Sequence, residues 1–303
     1  MGREAAMQIK TVSINKTAKL TAYIADPEVG YQMFRDRPGI ILAPGGAYLM
    51  LATREKEGVA LEFLAKGYNV FVLEYSLGFS TREVKESGAD KLDTDNRYPK
   101  PVIEMFEAIH IVRERAKEYH TDGSRLFLLG FSAGGHLCGS AGVFWNNPEY
   151  TKKLSFEPQG DELKATGMIL CYPMLNANPN KTLEINNPAN IDSALVQEFM
   201  YQTDNPTKEQ IEAVDLTKHV TKDTVPTFLW HSTDDPVVNP VDSTRFVLAL
   251  QENGVECEYH LFDHGGHGLA LANKVYAHNE EDIQPDIAEW TDMADRWMER
   301  QTG

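Results

Sequence analysis

The sequence predicts a doubly wound α/β fold, a mostly parallel eight-stranded sheet flanked by helices. Three observations carry that expectation. Strand-like apolar runs recur along the chain with helical patterns between them. The middle runs are continuously apolar, as parallel strands covered on both faces should be. The first two runs instead alternate apolar with polar residues and are separated by a turn-like Asn15-Lys16, which reads as an antiparallel hairpin leading into the sheet.

The elements follow in order. Residues 8–14 and 20–25 form the hairpin, and 39–43, 68–75, 125–130, 167–172, 226–232 and 257–262 are the remaining strands. Residues 54–66, 101–118, 135–144 and 241–253 carry apolar residues at helical spacing. A last amphipathic pattern, Ile287, Trp290, Met293 and Trp297, predicts one helix over 285–300. Two stretches break the rhythm. Residues 76–100 are polar and loop-like, and Tyr98-Pro99-Lys100-Pro101 opens the next helix with a proline in its first turn. Residues 176–224 hold Pro179, Pro188 and Pro206 and two short helices, over 193–202 and 207–213. The expectation is one domain over 1–303, with 176–224 as a small cap-like insertion above the carboxyl ends of the strands.

Length and charge narrow the function. A chain of 303 residues can bury a substantial core. A formal charge of −16 argues against nucleic acid or an anionic membrane as partner, since either needs a basic patch. No run approaches the ~18 apolar residues of a membrane span. Cys138, Cys171 and Cys257 are widely spaced and odd in number, which is no disulfide framework and no zinc site. Residues 1–10 carry Arg3, Glu4 and Lys10 and no apolar segment, so no signal peptide is visible and a cytoplasmic protein is expected. The sequence leaves assembly into homo-oligomers open.

The chemistry is concentrated in three motifs. Leu126 to Leu129 is an apolar run that ends at Gly130-Phe131-Ser132-Ala133-Gly134-Gly135 and passes into a helix former. That is a G-x-S-x-G nucleophile elbow in its strand-to-helix context. Glycine at 130 and 134 is a steric requirement of so tight a turn, and Ser132 is the candidate nucleophile. A serine hydroxyl needs a base to take its proton. The loop Phe262-Asp263-His264-Gly265-Gly266-His267-Gly268 offers two candidates, of which His267, set between glycines, is preferred. His231 on an apolar strand reads as a core imidazole, and His136 as a neighbour packed beside the elbow. The base needs an orienting carboxylate, and Ser232-Thr233-Asp234-Asp235-Pro236 offers Asp234 or Asp235, the latter preferred because Pro236 pins its backbone. The order Ser, Asp, His is that of the α/β-hydrolase fold. Ala43-Pro44-Gly45-Gly46-Ala47-Tyr48 ends an earlier strand in a glycine pair. Gly45, Gly46 and Ala133 are the candidate oxyanion-hole donors.

Taken together, Ala-Pro-Gly-Gly-Ala-Tyr at 43–48, Tyr-Pro-Lys-Pro at 98–101, Gly-Phe-Ser-Ala-Gly-Gly-His-Leu at 130–137, Asp-Asp-Pro-Val-Val at 234–238 and Gly-Gly-His-Gly at 265–268 span nearly the whole chain. In that order they resemble the α/β-hydrolase esterases grouped with hormone-sensitive-lipase-like enzymes and bacterial acetyl xylan esterases. The resemblance implies Ser132 as nucleophile, His267 as general base and Asp235 as its acid. Pro44 stands where lipase-like members have histidine, which brings the chain closer to the acetyl-sugar esterase branch. The expectation is a cofactor-free serine carboxylesterase acting on short acyl esters, acetyl first, of small molecules or xylo-oligosaccharides. Tyr48, Phe79, Trp145 and Tyr201 are aromatics that could stack on a sugar. The alternatives are a general short-chain carboxylesterase and, from another class, a serine peptidase of the prolyl-oligopeptidase type. A catalytically silent binding protein is disfavoured because all three candidate side chains are present.

Overall fold

The structure is a computed structural model describing residues 7–26, 36–79, 92–177, 193–203 and 205–302. Eight strands, β1 (Gln8–Ser13), β2 (Lys19–Ile24), β3 (Arg37–Ala43), β4 (Asn69–Glu74), β5 (Thr121–Phe131), β6 (Gly167–Cys171), β7 (Thr227–Ser232) and β8 (Cys257–Phe262), form one sheet. Their order is β1-β2-β4-β3-β5-β6-β7-β8. β2 runs antiparallel to β1 and β4, and every other neighbouring pair is parallel. This is the expected α/β-hydrolase sheet.

Side chains alternate across a strand, and here the alternation feeds two cores. Ile41, Leu126, Leu128, Met168, Leu170 and Leu229 point to one face, where α2 (Lys100–Glu114), α3 (Ala133–Phe144) and α7 (Pro240–Glu252) pack. Ile40, Leu42, Phe127, Leu129, Ile169, Phe228 and Trp230 point to the other, against α1 (Glu57–Ala65) and α9 (Trp290–Gln301). Phe63, Trp290 and Trp297 are fully buried on that second face, each worth ~1.5–3 kcal/mol. Strands with apolar residues on both faces explain the continuous apolar runs.

The remaining helices are short: α4 (Pro148–Thr151), α5 (Ser193–Tyr201), α6 (Lys208–Val214) and α8 (Pro285–Ala288). Sequence patterning missed α4, one turn capped by the Asn147 side chain. It also gave one helix over 285–300, where Glu289 separates α8 from α9. The two segments bury Ile287 and Trp290 side by side, and the Trp290 indole N–H donates to the Ala270 carbonyl at 2.9 Å. Residues 80–91 of the loop over 76–100, and 178–192 in the proline-rich start of 176–224, lie outside the described residues.

The chain leaves β3 toward β4 and returns across β3 to β5, so the direction of winding reverses between β3 and β5. Ligands of open α/β sheets bind at the carboxyl ends of strands at such a switch point. Pro44-Gly45-Gly46 follows β3 and Ser132 follows β5.

Candidate active site

One residue turns β5 into α3. Ser132 has φ 52° and ψ −116°, a left-handed backbone costing ~1–3 kcal/mol in a residue with a side chain. Three hydrogen bonds hold it there. Its N–H donates to the Cys171 carbonyl at 3.1 Å, and its carbonyl accepts the N–H groups of Met174 at 2.9 Å and His136 at 3.1 Å. A Cβ on Gly130 would lie 2.2 Å from the Gly134 carbonyl oxygen, and one on Gly134 would lie 2.1 Å from that of Ala43. Both glycines are therefore sterically required.

The structure brings three of the predicted side chains together. The Ser132 hydroxyl donates to His267 Nε2 at 3.0 Å, and His267 Nδ1–H donates to Asp235 Oδ2 at 2.6 Å. Asp235 stands in the turn after β7, and its Oδ1 accepts the N–H groups of Val237 and Val238 at 2.8 and 2.9 Å. Its Oδ2 also accepts Nε2–H of His231 at 2.9 Å, whose Nδ1 accepts from the Ser243 hydroxyl at 2.8 Å. Burial pushes the Asp235 pKa up, but the charge of His267 and the hydrogen bonds from His231 and His267 outweigh it, leaving the carboxyl well below the usual range. His231 is thus attached to the acid, a role that its place on an apolar strand concealed. The exposed Asp234 accepts the Gly266 N–H at 2.8 Å and so holds the His267 loop from outside. His264 is exposed beside Asp263.

The predicted anion donors need one correction. The Gly45 N–H donates to Glu55 Oε2 at 2.7 Å, so it is already committed to a buried carboxylate. Gly46 differs: its φ of +121° turns the next peptide, and its carbonyl accepts the N–H groups of Leu49 and Met50 at 3.0 Å. Among the described residues no acceptor takes the Gly46 N–H. The Ala133 N–H opens α3, and the first N–H groups of a helix lack intrahelical acceptors. The turn lies directly against the elbow, since a Cβ on Gly45 would come within 2.9 Å of Ser132 Cβ.

The aromatic candidates for sugar stacking also need correction. Tyr48, Phe79, Trp145 and Tyr201 are 0%, 6%, 8% and 5% exposed and belong to the core. Trp145 closes the far end of α3, ~20 Å from Ser132 at 1.5 Å per residue, and its indole donates to the Asp223 carbonyl. Tyr48 stacks on Phe199 of α5, and its hydroxyl donates to His136 Nδ1 at 2.9 Å. His136 Nε2–H donates to the Val214 carbonyl at 2.9 Å.

Burial lowers the His136 pKa to about 4. The unfolded chain, with an ordinary imidazole near ~6.5, therefore binds a proton that the folded protein refuses between those values. Stability from this group is complete above pH ~6.5 and lost as pH falls toward 4, on the order of 3 kcal/mol in all. Urea unfolding between pH 7 and 4 should show a steeper acid loss for wild type than for His136→Gln; parallel curves would contradict it.

Among the described residues no three His, Cys, Asp or Glu side chains are placed to hold a metal ion, and no helix is long and apolar enough to cross a membrane. A hydroxyl, an imidazole and a carboxylate in relay beside two N–H groups without an acceptor among the described residues can shift a proton and receive an oxyanion.

Comparison with known proteins agrees with the fold. The BD-FAE family model matches residues 31–250, more than half of the chain. The chain is 31% identical over 262 residues to endo-1,4-beta-xylanase B of Butyrivibrio fibrisolvens, covering 85% of this chain and 35% of that protein. It is 23% identical to the acetylxylan esterase of Xylanibacter ruminicola, covering 83% of this chain and 44% of the other. The chain thus spans less than half the length of either curated relative. Among solved structures, the carboxylesterase Cest-2923 of Lactobacillus plantarum superposes with a TM-score of 0.76 at 26% identity, covering 98% of both chains. The acetyl ester-xyloside bifunctional hydrolase of Caldicellulosiruptor lactoaceticus gives 0.71 at 26% identity, covering 96% of both.

Proposed function

The chain belongs to the BD-FAE family, and from that premise we propose that it is a serine carboxylesterase that removes short acyl groups, acetyl first, from acetylated xylo-oligosaccharides or related sugars. The observation that carries the proposal is the continuous Ser132–His267–Asp235 relay beside the free N–H groups of Gly46 and Ala133.

Ser132 Oγ attacks the ester carbonyl carbon while its proton passes to His267 Nε2. Asp235 holds the imidazole in the tautomer whose Nε2 is free to accept, and steadies the imidazolium. The carbonyl oxygen becomes an oxyanion facing the Gly46 and Ala133 N–H groups, where one donor is worth ~3–4 kcal/mol. The tetrahedral intermediate collapses, His267 returns the proton to the departing alcohol oxygen, and an acyl-Ser132 remains. Water, giving its proton to His267, attacks the acyl carbon and releases the carboxylic acid and the free hydroxyl of Ser132.

Both a xylanase and an acetylxylan esterase among the relatives favour a xylan-derived alcohol. A formal charge of −16 suits neutral esters better than polyanions. Three free cysteines suit a reducing compartment such as the cytoplasm. The described part of the insertion reads as a cap, because Phe199 of α5 stacks on Tyr48 in the oxyanion turn and accepts the Tyr98 N–H. A general short-chain carboxylesterase is the second reading, favoured by the esterase LipC of Mycobacterium tuberculosis, 24% identical over 77% of this chain and 53% of that protein.

A panel of p-nitrophenyl esters from acetate to octanoate, set beside acetylated xylo-oligosaccharides, decides between them. Acetate should be cleaved faster than octanoate, and the sugars should release acetate at higher kcat/KM than p-nitrophenyl acetate. A preference for octanoate would sink the acetyl-sugar assignment.

A further inference from the structure

A buried carboxylate lies beneath this site with no part in the relay. Glu55 ends the short 3-10 turn Thr53–Glu55 that precedes α1 and is 2% exposed. Among the described residues no lysine or arginine forms an ion pair with it; its neighbour Arg54 pairs with Asp282 instead. Isolated buried charge is costly, and replacing such groups with apolar ones is often neutral or stabilising. Fold stability alone therefore gives no reason to keep a carboxylate here.

Its two hydrogen bonds supply one. Glu55 Oε2 accepts the N–H of Gly45, immediately before the proposed oxyanion donor Gly46. Glu55 Oε1 accepts the Tyr172 hydroxyl proton at 2.8 Å. That same hydroxyl oxygen accepts the N–H of Ala270 at 2.9 Å, three residues beyond His267. The Tyr172 ring meets the His267 ring edge-on at 4.9 Å. Glu55 and Tyr172 are both buried, and Tyr172 is fixed just past β6 by its N–H bond to the Trp230 carbonyl at 2.8 Å. One chain of contacts thus runs from the turn after β3, through Glu55 and Tyr172, to the loop after β8. Gly45 is squeezed between Glu55 and Ser132: a Cβ there would lie 2.8 Å from Glu55 Oε2 and 2.9 Å from Ser132 Cβ.

We infer that Glu55 and Tyr172 are positioning residues, a buried brace that fixes the oxyanion turn and the His267 loop relative to each other and to Ser132. The inference rests on the serine-esterase reading above. By consuming the Gly45 N–H, Glu55 sets the orientation of the peptide that follows and leaves the Gly46 N–H for the oxyanion. Tyr172 applies the same constraint to the base. Burial holds the pKa of Glu55 above its ordinary value, and the bonds from Tyr172 and Gly45 and the charges of His267 and Arg54 offset this only in part. A brace of this kind acts in the transition state, where oxyanion and imidazolium must both be met, and hardly affects ground-state binding.

The test uses Glu55→Gln, Glu55→Leu, Tyr172→Phe and the Glu55→Gln/Tyr172→Phe pair, assayed on p-nitrophenyl acetate with thermal midpoints measured alongside. Glutamine can keep one acceptor for Gly45 while disturbing the Tyr172 tie; leucine removes both. Glu55→Leu should stay folded and lose about 100-fold in kcat, and Glu55→Gln about tenfold, the scale of a misplacement near 1 Å. KM should move by less than about twofold in both. The double variant should be no slower than its worse single, since the two residues act as one unit. Either Glu55 variant, folded and with wild-type kcat, overturns the brace, as does a loss expressed only in KM. Fluorophosphonate labelling of the wild-type protein separates the two readings. Wild type unlabelled at Ser132 overturns the serine-esterase assignment itself, whereas labelled wild type with an unimpaired Glu55→Gln overturns only the brace.

Discussion

Ser132→Ala is expected to abolish turnover of p-nitrophenyl acetate, lowering kcat about 10⁴- to 10⁶-fold, the scale for removing a nucleophile whose base and oxyanion donors remain. The fold should survive. Among the described residues the Ser132 side chain makes one hydrogen bond, to His267, and the left-handed turn is held by backbone bonds to Cys171, Met174 and His136 that alanine keeps. Asp235 and its four donors do not involve Ser132. Unchanged circular dichroism and thermal midpoint, with loss of fluorophosphonate labelling, would complete the result. Residual activity within tenfold of wild type would show that another nucleophile does the work.

What the sequence disclosed was set by how far each feature depends on local chemistry. The strands were legible because each carries apolar residues to two cores, and the elbow because only glycine fits at 130 and 134. Gly45 and Gly46 could not be told apart. Which N–H faces the oxyanion depends on the φ of +121° at Gly46 and on the carboxylate that claims Gly45, both properties of the folded turn. Glu55 was hidden in Thr53-Arg54-Glu55-Lys56-Glu57, a charge-rich run that reads as the solvated start of a helix. The three-residue 3-10 turn Thr53–Glu55 before α1 makes the difference: it turns Glu55 inward and leaves Glu57 outside. His231 escaped for a related reason. An imidazole on an apolar strand is indistinguishable by type from a core residue, and only the turn at 233–236 returns Asp235 to it. Trp145 failed on distance, which a helix of known length could have supplied, since 13 residues separate it from Ser132 at ~1.5 Å each.

The choice between the two aspartates gives the other large effect. Asp235→Asn is expected to reduce kcat about 10⁴-fold at pH 7 while leaving the protein folded. The loss follows from hydrogen-bond direction. Val237 and Val238 both donate N–H to Oδ1, so an asparagine must turn its carbonyl oxygen to them and its NH2 toward His267 and His231. A donor facing Nδ1 forces His267 into the tautomer protonated at Nε2, and that nitrogen can no longer take the Ser132 proton. His231 can accommodate the same change by reversing its bond with Ser243, so the damage is confined to the base. Asp234→Asn should behave differently. Its single described bond is the acceptor bond to Gly266, which an amide oxygen reproduces, and activity should stay within about threefold of wild type. The pair is a direct assignment of the acid: equal losses would mean that the loop held by Asp234 matters as much as the tautomer, and a reversed order would move the relay to Asp234 against the 2.6 Å contact of His267 with Asp235.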